Sequence, residues 1–333
     1  MKLENAKILV IGGAGFIGSF VVTELLKHPV KEVVIYDNFT RGKKEYLTQQ
    51  LKDKRCSLFP FGGDIREIDI LDVAVKDKDY VISLAAMWLL HCKDYPRTAF
   101  DVNIAGTFNV LEACVKHKVK KLVYSSSASV YGDASEVPMT ESHPFNNKNF
   151  YGATKIAGEA MLTSFYHRYN LNYVGLRYMN VYGPRQDYHG AYIAVIMKML
   201  DAIDRGGSPT IMGDGSEAFD FVAVEDCAYA NICAMKSSAV DQNYNVGTGV
   251  RTSLKELAEK IIILTGCNQP IEYAERSAAT LVRNRIGCPK KASAEIGFTA
   301  LIDLREGLKR LVDWRATHIA EVEARRKAVG LHV

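Results

Sequence analysis

Residues 8–18 read Ile8-Leu9-Val10-Ile11-Gly12-Gly13-Ala14-Gly15-Phe16-Ile17-Gly18. A continuous apolar run leads into glycines, and a helical pattern from Phe16 to Lys27 follows. Strands buried on both faces, as in parallel sheets, have this unbroken apolar character. The glycines fit G-x-x-G-x-x-G from Gly12 and G-x-G-x-x-G from Gly13. Glycine permits the tight strand-to-helix turn and lets backbone N–H groups approach a pyrophosphate at the positive end of the helix. Gly12, Gly15, Phe16, Ile17 and Gly18 are therefore expected to cradle a dinucleotide.

Outward from this turn the pattern repeats. Apolar runs at Glu32–Tyr36, Cys56–Phe61, Tyr80–Leu84, Lys121–Ser125 and Asn172–Arg177 alternate with helical stretches. Such alternation predicts an α/β fold, a Rossmann-type doubly wound parallel sheet with helices on both faces, over residues 1–180. Sites in these sheets lie at the carboxyl ends of the strands. Beyond residue 180, Gly183-Pro184, Gly206-Gly207, Pro209 and Gly213-Asp214-Gly215 mark turns. Short strands (Thr210–Met212, Tyr244–Val246, Ile271–Tyr273) mix with helices (Tyr192–Arg205, Ser253–Thr265, Asp303–Trp314). Residues 181–333 are expected to form a smaller α+β domain, mainly for substrate. No linker or repeat separates it, so it should interleave with the first. The tail, Arg315 to Val333, reads as a solvated amphipathic helix with Arg325, Arg326 and Lys327 exposed.

The 333 residues are 48% apolar and carry a net charge of +4 with no Lys/Arg block. That balance gives no electrostatic footprint for nucleic acid or an anionic membrane. No apolar run reaches the roughly 20 residues of a bilayer span. Met1 to Lys7 lacks a secretory-signal pattern, so a cytoplasmic protein is expected. Cys56, Cys92, Cys114, Cys227, Cys233, Cys267 and Cys288 contain no C-x-x-C pair and are expected to be free thiols. The histidines lack ligand spacing such as H-E-x-x-H, and no metal is expected.

The second apolar run ends at Asp37, nineteen residues after Gly18. A carboxylate there accepts hydrogen bonds from the adenosine ribose and repels a 2′-phosphate, which favours NAD over NADP. Arg41, Lys43 and Lys44 lie nearby as competing cations. Asp64-Ile65 after the third run is expected at the adenine edge. Leu84-Ala85-Ala86 ends the fourth with small residues that suit close passage of the cofactor. Tyr151 and Lys155 stand at i, i+4, one helical turn apart on one face. A neighbouring ammonium stabilises the phenolate and fits Tyr151 for acid/base work. Ser125-Ser126-Ser127-Ala128-Ser129-Val130-Tyr131-Gly132 ends the fifth run, where a hydroxyl can bond the same substrate oxygen.

Taken together these segments resemble the extended short-chain dehydrogenases/reductases, specifically the nucleotide-sugar epimerase/dehydratase family, from about residue 7 to 315. Further likenesses are Asn103-Ile104-Ala105-Gly106-Thr107-Phe108-Asn109-Val110-Leu111 and Arg177-Tyr178-Met179-Asn180-Val181-Tyr182-Gly183-Pro184-Arg185. Gly213-Asp214-Gly215, Asp220-Phe221-Val222 and Asp226 resemble the family's G-D-G…R-D-F-V…D stretch. The resemblance implies Ser127, Tyr151 and Lys155 as a catalytic triad and Lys155 on the nicotinamide ribose. It adds Asn38, Asn103 and Ser125 to the NAD contacts. It places Asn180 at the substrate's diphosphate end, with Tyr178 and Met87 beside the substrate. It also implies a homodimer through the helix before the fifth strand and the Tyr151 helix. In the former, Phe100, Ile104, Phe108, Leu111 and Val115 form one apolar stripe read as core-facing. Ala99, Val102, Val110 and Ala113 widen the apolar surface, and Ile156, Met161 and Phe165 add to the second helix.

Within that family a 4,6-dehydratase carries T-D-E, and a uronate decarboxylase carries Glu, where this chain has Ser127-Ala128-Ser129. Epimerisation needs only a transient ketone and hydride return to the other face. A nucleotide-diphosphate sugar 4-epimerase is therefore the expected activity, of the UDP-glucose 4-epimerase kind. A non-catalytic NAD-binding regulator would have lost Tyr or Lys, and both are present. Met87-Trp88-Leu89-Leu90-His91 is bulky for its loop. Phe219 stands where the family has a phosphate-clamping Arg, and an aromatic ring cannot replace a charged fork. The expectation is that Arg285, with Arg283 and assistance from Arg185, holds the diphosphate while Phe219 packs near the base or sugar.

Overall fold

The computed structural model describes residues 3–186, 194–275 and 282–328. Tyr192, at the start of one expected helix, and the side chains of Arg325, Arg326 and Lys327 lie outside the described part. The main sheet begins with β1 (Lys7–Ile11), β2 (Glu32–Tyr36), β3 (Cys56–Leu58), β4 (Tyr80–Ser83), β5 (Lys121–Ser127) and β6 (Tyr173–Tyr178). Gln242–Val246 is its seventh strand. The order across the sheet is seventh, β6, β5, β4, β1, β2, β3, and every pairing is parallel.

Side chains on a strand alternate between faces, and here both faces are buried. Ile8, Val10, Val33 and Ile35 pack under the Phe16–Leu26 helix and the Val224–Lys236 helix. Leu9, Ile11, Val34 and Tyr36 pack against Leu71, Leu111 and Leu162 from the opposite helical layer. The expected strand Cys56–Phe61 stops at Leu58, and Phe61 is exposed.

A third core gathers Tyr182, Ile196, Leu200, Phe221, Leu257, Ile261, Leu308 and Leu311. Ser253 starts the Leu254–Thr265 helix with a reciprocal capping box through Glu256, and Asp303 caps the Leu304–Thr317 helix. Between these pieces the chain returns to the first layer. Tyr244–Val246, expected in the smaller domain, lies in the seventh strand, where Tyr244 pairs with Leu176. Arg315 departs from the solvated tail expected of it. It is buried, and its guanidinium bridges Asp201 and Asp204 at 2.6 Å each. No helix among the described residues is long and apolar enough to cross a membrane.

The stripe from Phe100 to Val115 needs correction. Asp101–Gly106 is a π-helical turn between the Pro96–Phe100 and Thr107–Lys116 helices. A π turn holds an extra residue, so the 3.6-residue phase counted through it slips. Ala99, Val110, Leu111 and Ala113 face the core, while Phe100 and Phe108 are 42% and 41% exposed.

Candidate active site

One cleft runs along the carboxyl ends of β1–β6 and encloses about 2280 Å³ of empty space, its open mouth included. Its floor is the glycine turn. Gly12 has φ +77°, and a Cβ on it would lie 2.7 Å from the Ala85 nitrogen. A Cβ on Gly18 would lie 2.1 Å from the Gly12 carbonyl oxygen, so the helix packs backbone to backbone against the turn. Gly15 caps that helix without any side-chain bond, and its first turn holds no acidic residue. The opening N–H groups have no intrahelical acceptor, so they face the cleft as an anion cradle.

Asp37 is buried beside this floor. Its carboxylate accepts from the Ala14 N–H at 2.9 Å and the Phe39 N–H at 2.8 Å. Burial raises its pKa, and those two N–H bonds act against the rise. The three nearby cations are turned elsewhere. Arg41 lies over the Trp88 ring, Lys43 over Tyr46 and Lys44 over Phe39. Asn38 and Asp64 are hydrogen-bonded to each other at 3.3 Å, and Arg66 holds Asp64 ionised with a pKa near 2. Ile65, Leu84, Ala85 and Ala86 complete this wall. The bare helix end and the adjacent buried carboxylate fit the two halves of an NAD molecule, diphosphate and ribose. Binding of NAD is expected to be at least about tenfold tighter than of NADP, the worth of a charge-assisted hydrogen bond. Calorimetry with both cofactors checks it, and the reverse order would mean that a cation swings onto the 2′-phosphate.

The other end of the cleft is built by β5 and the Phe150–Tyr169 helix. Asn149 caps that helix through the Gly152 N–H at 2.8 Å. Tyr151 is half-buried at the cleft wall, and desolvation pushes its phenol up to about 12; Ser127, hydrogen-bonded to it, and the Arg41 and Arg285 charges pull the other way. Lys155 donates to the Ser125 carbonyl at 2.7 Å, and its ammonium sits 5.7 Å from the centre of the Tyr151 ring. Burial draws its pKa down to about 8. Ser127 Oγ also accepts from the Ser129 N–H at 3.1 Å. Tyr178, Asn180, Met87, Arg185 and Arg285 line the same cleft. The Arg185 guanidinium stacks over Phe20 and Tyr46 and donates to Ser19 at 3.0 Å.

Three expected site residues stand apart. Asn103, in the π turn, does not line the cleft. Its side chain accepts from the Met87 N–H at 2.7 Å and donates to the Met87 carbonyl at 2.9 Å, bracing the loop after β4. Phe219 faces the third core against Phe221. Arg283 is exposed on a separate groove with Asp214, Ser216 and Arg251. Arg285 alone of the two reaches the main cleft, where it is 8% exposed and donates to the Gly132 carbonyl at 3.3 Å.

Two acids of the late motif are structural. Asp220 clasps Thr248 and the Gly249 N–H, and Asp226 accepts from the Leu301 and Ile302 N–H groups. Glu159, which sequence reading missed, forms a buried ion pair with Arg177 beneath the site.

Residues 8–247 match the model of the NAD dependent epimerase/dehydratase family. A UDP-glucose 4-epimerase of Mycolicibacterium smegmatis is 34% identical over 92% of this chain and 98% of its own length. Among solved structures, a UDP-N-acetylglucosamine 4-epimerase from Methanobrevibacter ruminantium, in complex with UDP-N-acetylmuramic acid, superposes with a TM-score of 0.88. It is 33% identical and covers 94% of this chain and 99% of its own. A Thermus thermophilus UDP-glucose 4-epimerase in complex with NAD superposes at 0.83, with 31% identity over 94% of this chain and 99% of its own.

Proposed function

The chain belongs to the NAD dependent epimerase/dehydratase family, its cofactor is NAD, and we propose that it inverts C4 of a nucleotide-diphosphate sugar. The observation that carries this reading is the convergence of Ser127, Tyr151 and Lys155 on the cleft that the glycine turn floors. Tyr151, as the phenolate that the Lys155 ammonium stabilises, takes the proton of a sugar hydroxyl on its Oη and becomes the phenol, while Ser127 Oγ holds that same sugar oxygen. When bound, NAD supplies the acceptor and then the donor of the hydride. The sugar turns within the pocket between the two transfers, and Tyr151 returns its proton to the new hydroxyl. In this reading residues 1–180, with the returning segment 224–246, form the cofactor unit, and the rest of 181–333 the substrate unit.

A dehydratase of the same family would need a further acid/base pair near Tyr151. The carboxylates among the described lining residues are Asp37 and Asp64, both at the adenosine end. The test is a panel of UDP-, GDP-, CDP- and dTDP-sugars with NMR of the products. A 4-epimer is expected, and a 4-keto-6-deoxy sugar would make the chain a dehydratase.

Arg285 is proposed to hold the substrate diphosphate. Arg285→Ala should weaken UDP binding by about ten- to hundredfold, while Arg283→Ala, on the separate groove, should bind as wild type. Calorimetry decides it, and full UDP affinity in Arg285→Ala would place the clamp elsewhere. We also propose a cytoplasmic homodimer. Exposed Phe100 and Phe108, the latter edge-on to Phe165 at 5.4 Å, mark where its helices would meet. Light scattering at micromolar concentration should give twice the chain mass.

A further inference from the structure

Arg41 follows β2 and Trp88 follows β4, and the sheet places β1 between those strands. A contact between the two loops therefore crosses above the glycine turn that β1 feeds. Such a contact exists. The Arg41 guanidinium carbon lies 5.0 Å from the centre of the Trp88 ring, within the roughly 6 Å of a cation–π interaction. Both residues line the cleft. Arg41 is exposed, whereas Trp88 is buried. The indole is backed by His91 at 5.1 Å, and Tyr95 stands edge-on to His91. It is a fixed platform on which a long flexible arm rests. Trp88 Nε1 is buried with no hydrogen-bond partner among the described residues, a donor that a ligand acceptor would satisfy. The Arg41 charge also reaches the Tyr151 phenol.

We propose that Arg41 and Trp88 form an arch over the cofactor diphosphate and retain NAD in the cleft. The helix end beneath offers backbone N–H groups and a partial positive charge. The guanidinium above offers a planar fork suited to phosphate oxygens. A diphosphate held between them meets positive potential on two sides. Retention matters to a reaction that oxidises and then reduces one sugar, a consequence that rests on the epimerase reading. The binding itself does not, and it is tested without substrate.

The test is calorimetry of NAD and, separately, UDP against cofactor-stripped protein. Arg41→Ala and Trp88→Leu should each weaken NAD by about ten- to hundredfold and leave UDP unchanged. Because both act through one contact, the double variant should lose no more than the worse single variant. Trp88→Phe keeps a ring face but loses the Nε1 donor, so its NAD affinity should fall between wild type and Trp88→Leu, which separates the arch from a packing defect. NAD affinity at the wild-type level in either single variant overturns the proposal. So do additive losses, a Trp88→Phe as weak as Trp88→Leu, or an Arg41→Ala that weakens only UDP or only NADP.

Discussion

Tyr151→Phe is expected to lower turnover by roughly 10²–10⁴-fold, the usual worth of a positioned acid/base, with folding and NAD affinity kept. The substitution removes one oxygen and leaves the ring in place, so packing changes little. What is lost is the group that carries the proton. Desolvation holds that proton on the phenol, up to about 12, and Lys155 must offset this when the hydroxyl reacts. The Lys155 ammonium is itself drawn down to about 8 by burial. It is charged below that pH and neutral above it. Wild-type kcat/KM should therefore fall as pH rises through about 8, because the neutral amine no longer favours the phenolate. A steady-state pH profile checks this, and a flat profile from pH 7 to 10 would remove the electrostatic role of Lys155. Near-normal turnover in Tyr151→Phe would remove Tyr151 from the mechanism.

Where the sequence carries a local physical signal, fold and site are legible from it. An apolar run followed by glycines has few outlets but a buried parallel strand and a tight turn, and β1 with its helix begins and ends within a residue of expectation. Tyr151 and Lys155 share a helix face because their spacing demands it. Signals fail where tertiary context decides. Val246 looks like any short strand residue, and only its pairing with β6 assigns it to the main sheet. Phe100 and Phe108 have the right spacing for a core stripe, but they lie on either side of a π turn and are both partly exposed. Asn103 is expected among the NAD contacts, yet its amide bonds the Met87 backbone. Arg283 and Arg285 differ by two positions in sequence and line different grooves.

Glu159 left no pattern of its own, and its expected effect is the largest on stability. It lies one turn beyond Lys155, on the helix that carries Tyr151. Its carboxylate accepts from Arg177 Nε at 2.9 Å and Nη2 at 2.7 Å, with both side chains buried. Ser126 Oγ donates to the same carboxylate. Arg177 Nη1 continues to Tyr131 Oη at 2.7 Å, and Tyr131 donates to Asn245 at 2.7 Å. Burial opposes the guanidinium charge, but the Glu159 carboxylate more than offsets it. The network thus ties the catalytic helix to β5, β6 and the seventh strand, and so fixes Tyr151 against Ser127. Glu159→Ala leaves a buried cation alone and should cost about 3–5 kcal/mol, lowering the melting temperature by about 10 °C. An apolar pair of similar volume has no charge to strand, so Glu159→Leu with Arg177→Met should regain most of that stability. The two readouts then separate. If the pair only stabilises, the double variant recovers kcat together with the melting temperature. If it positions Tyr151, the double variant melts near wild type and still turns over slowly, because two apolar side chains do not fix the helix rotation that a bidentate ion pair sets. The second outcome is expected. A double variant with both properties restored would confine Glu159 and Arg177 to stability.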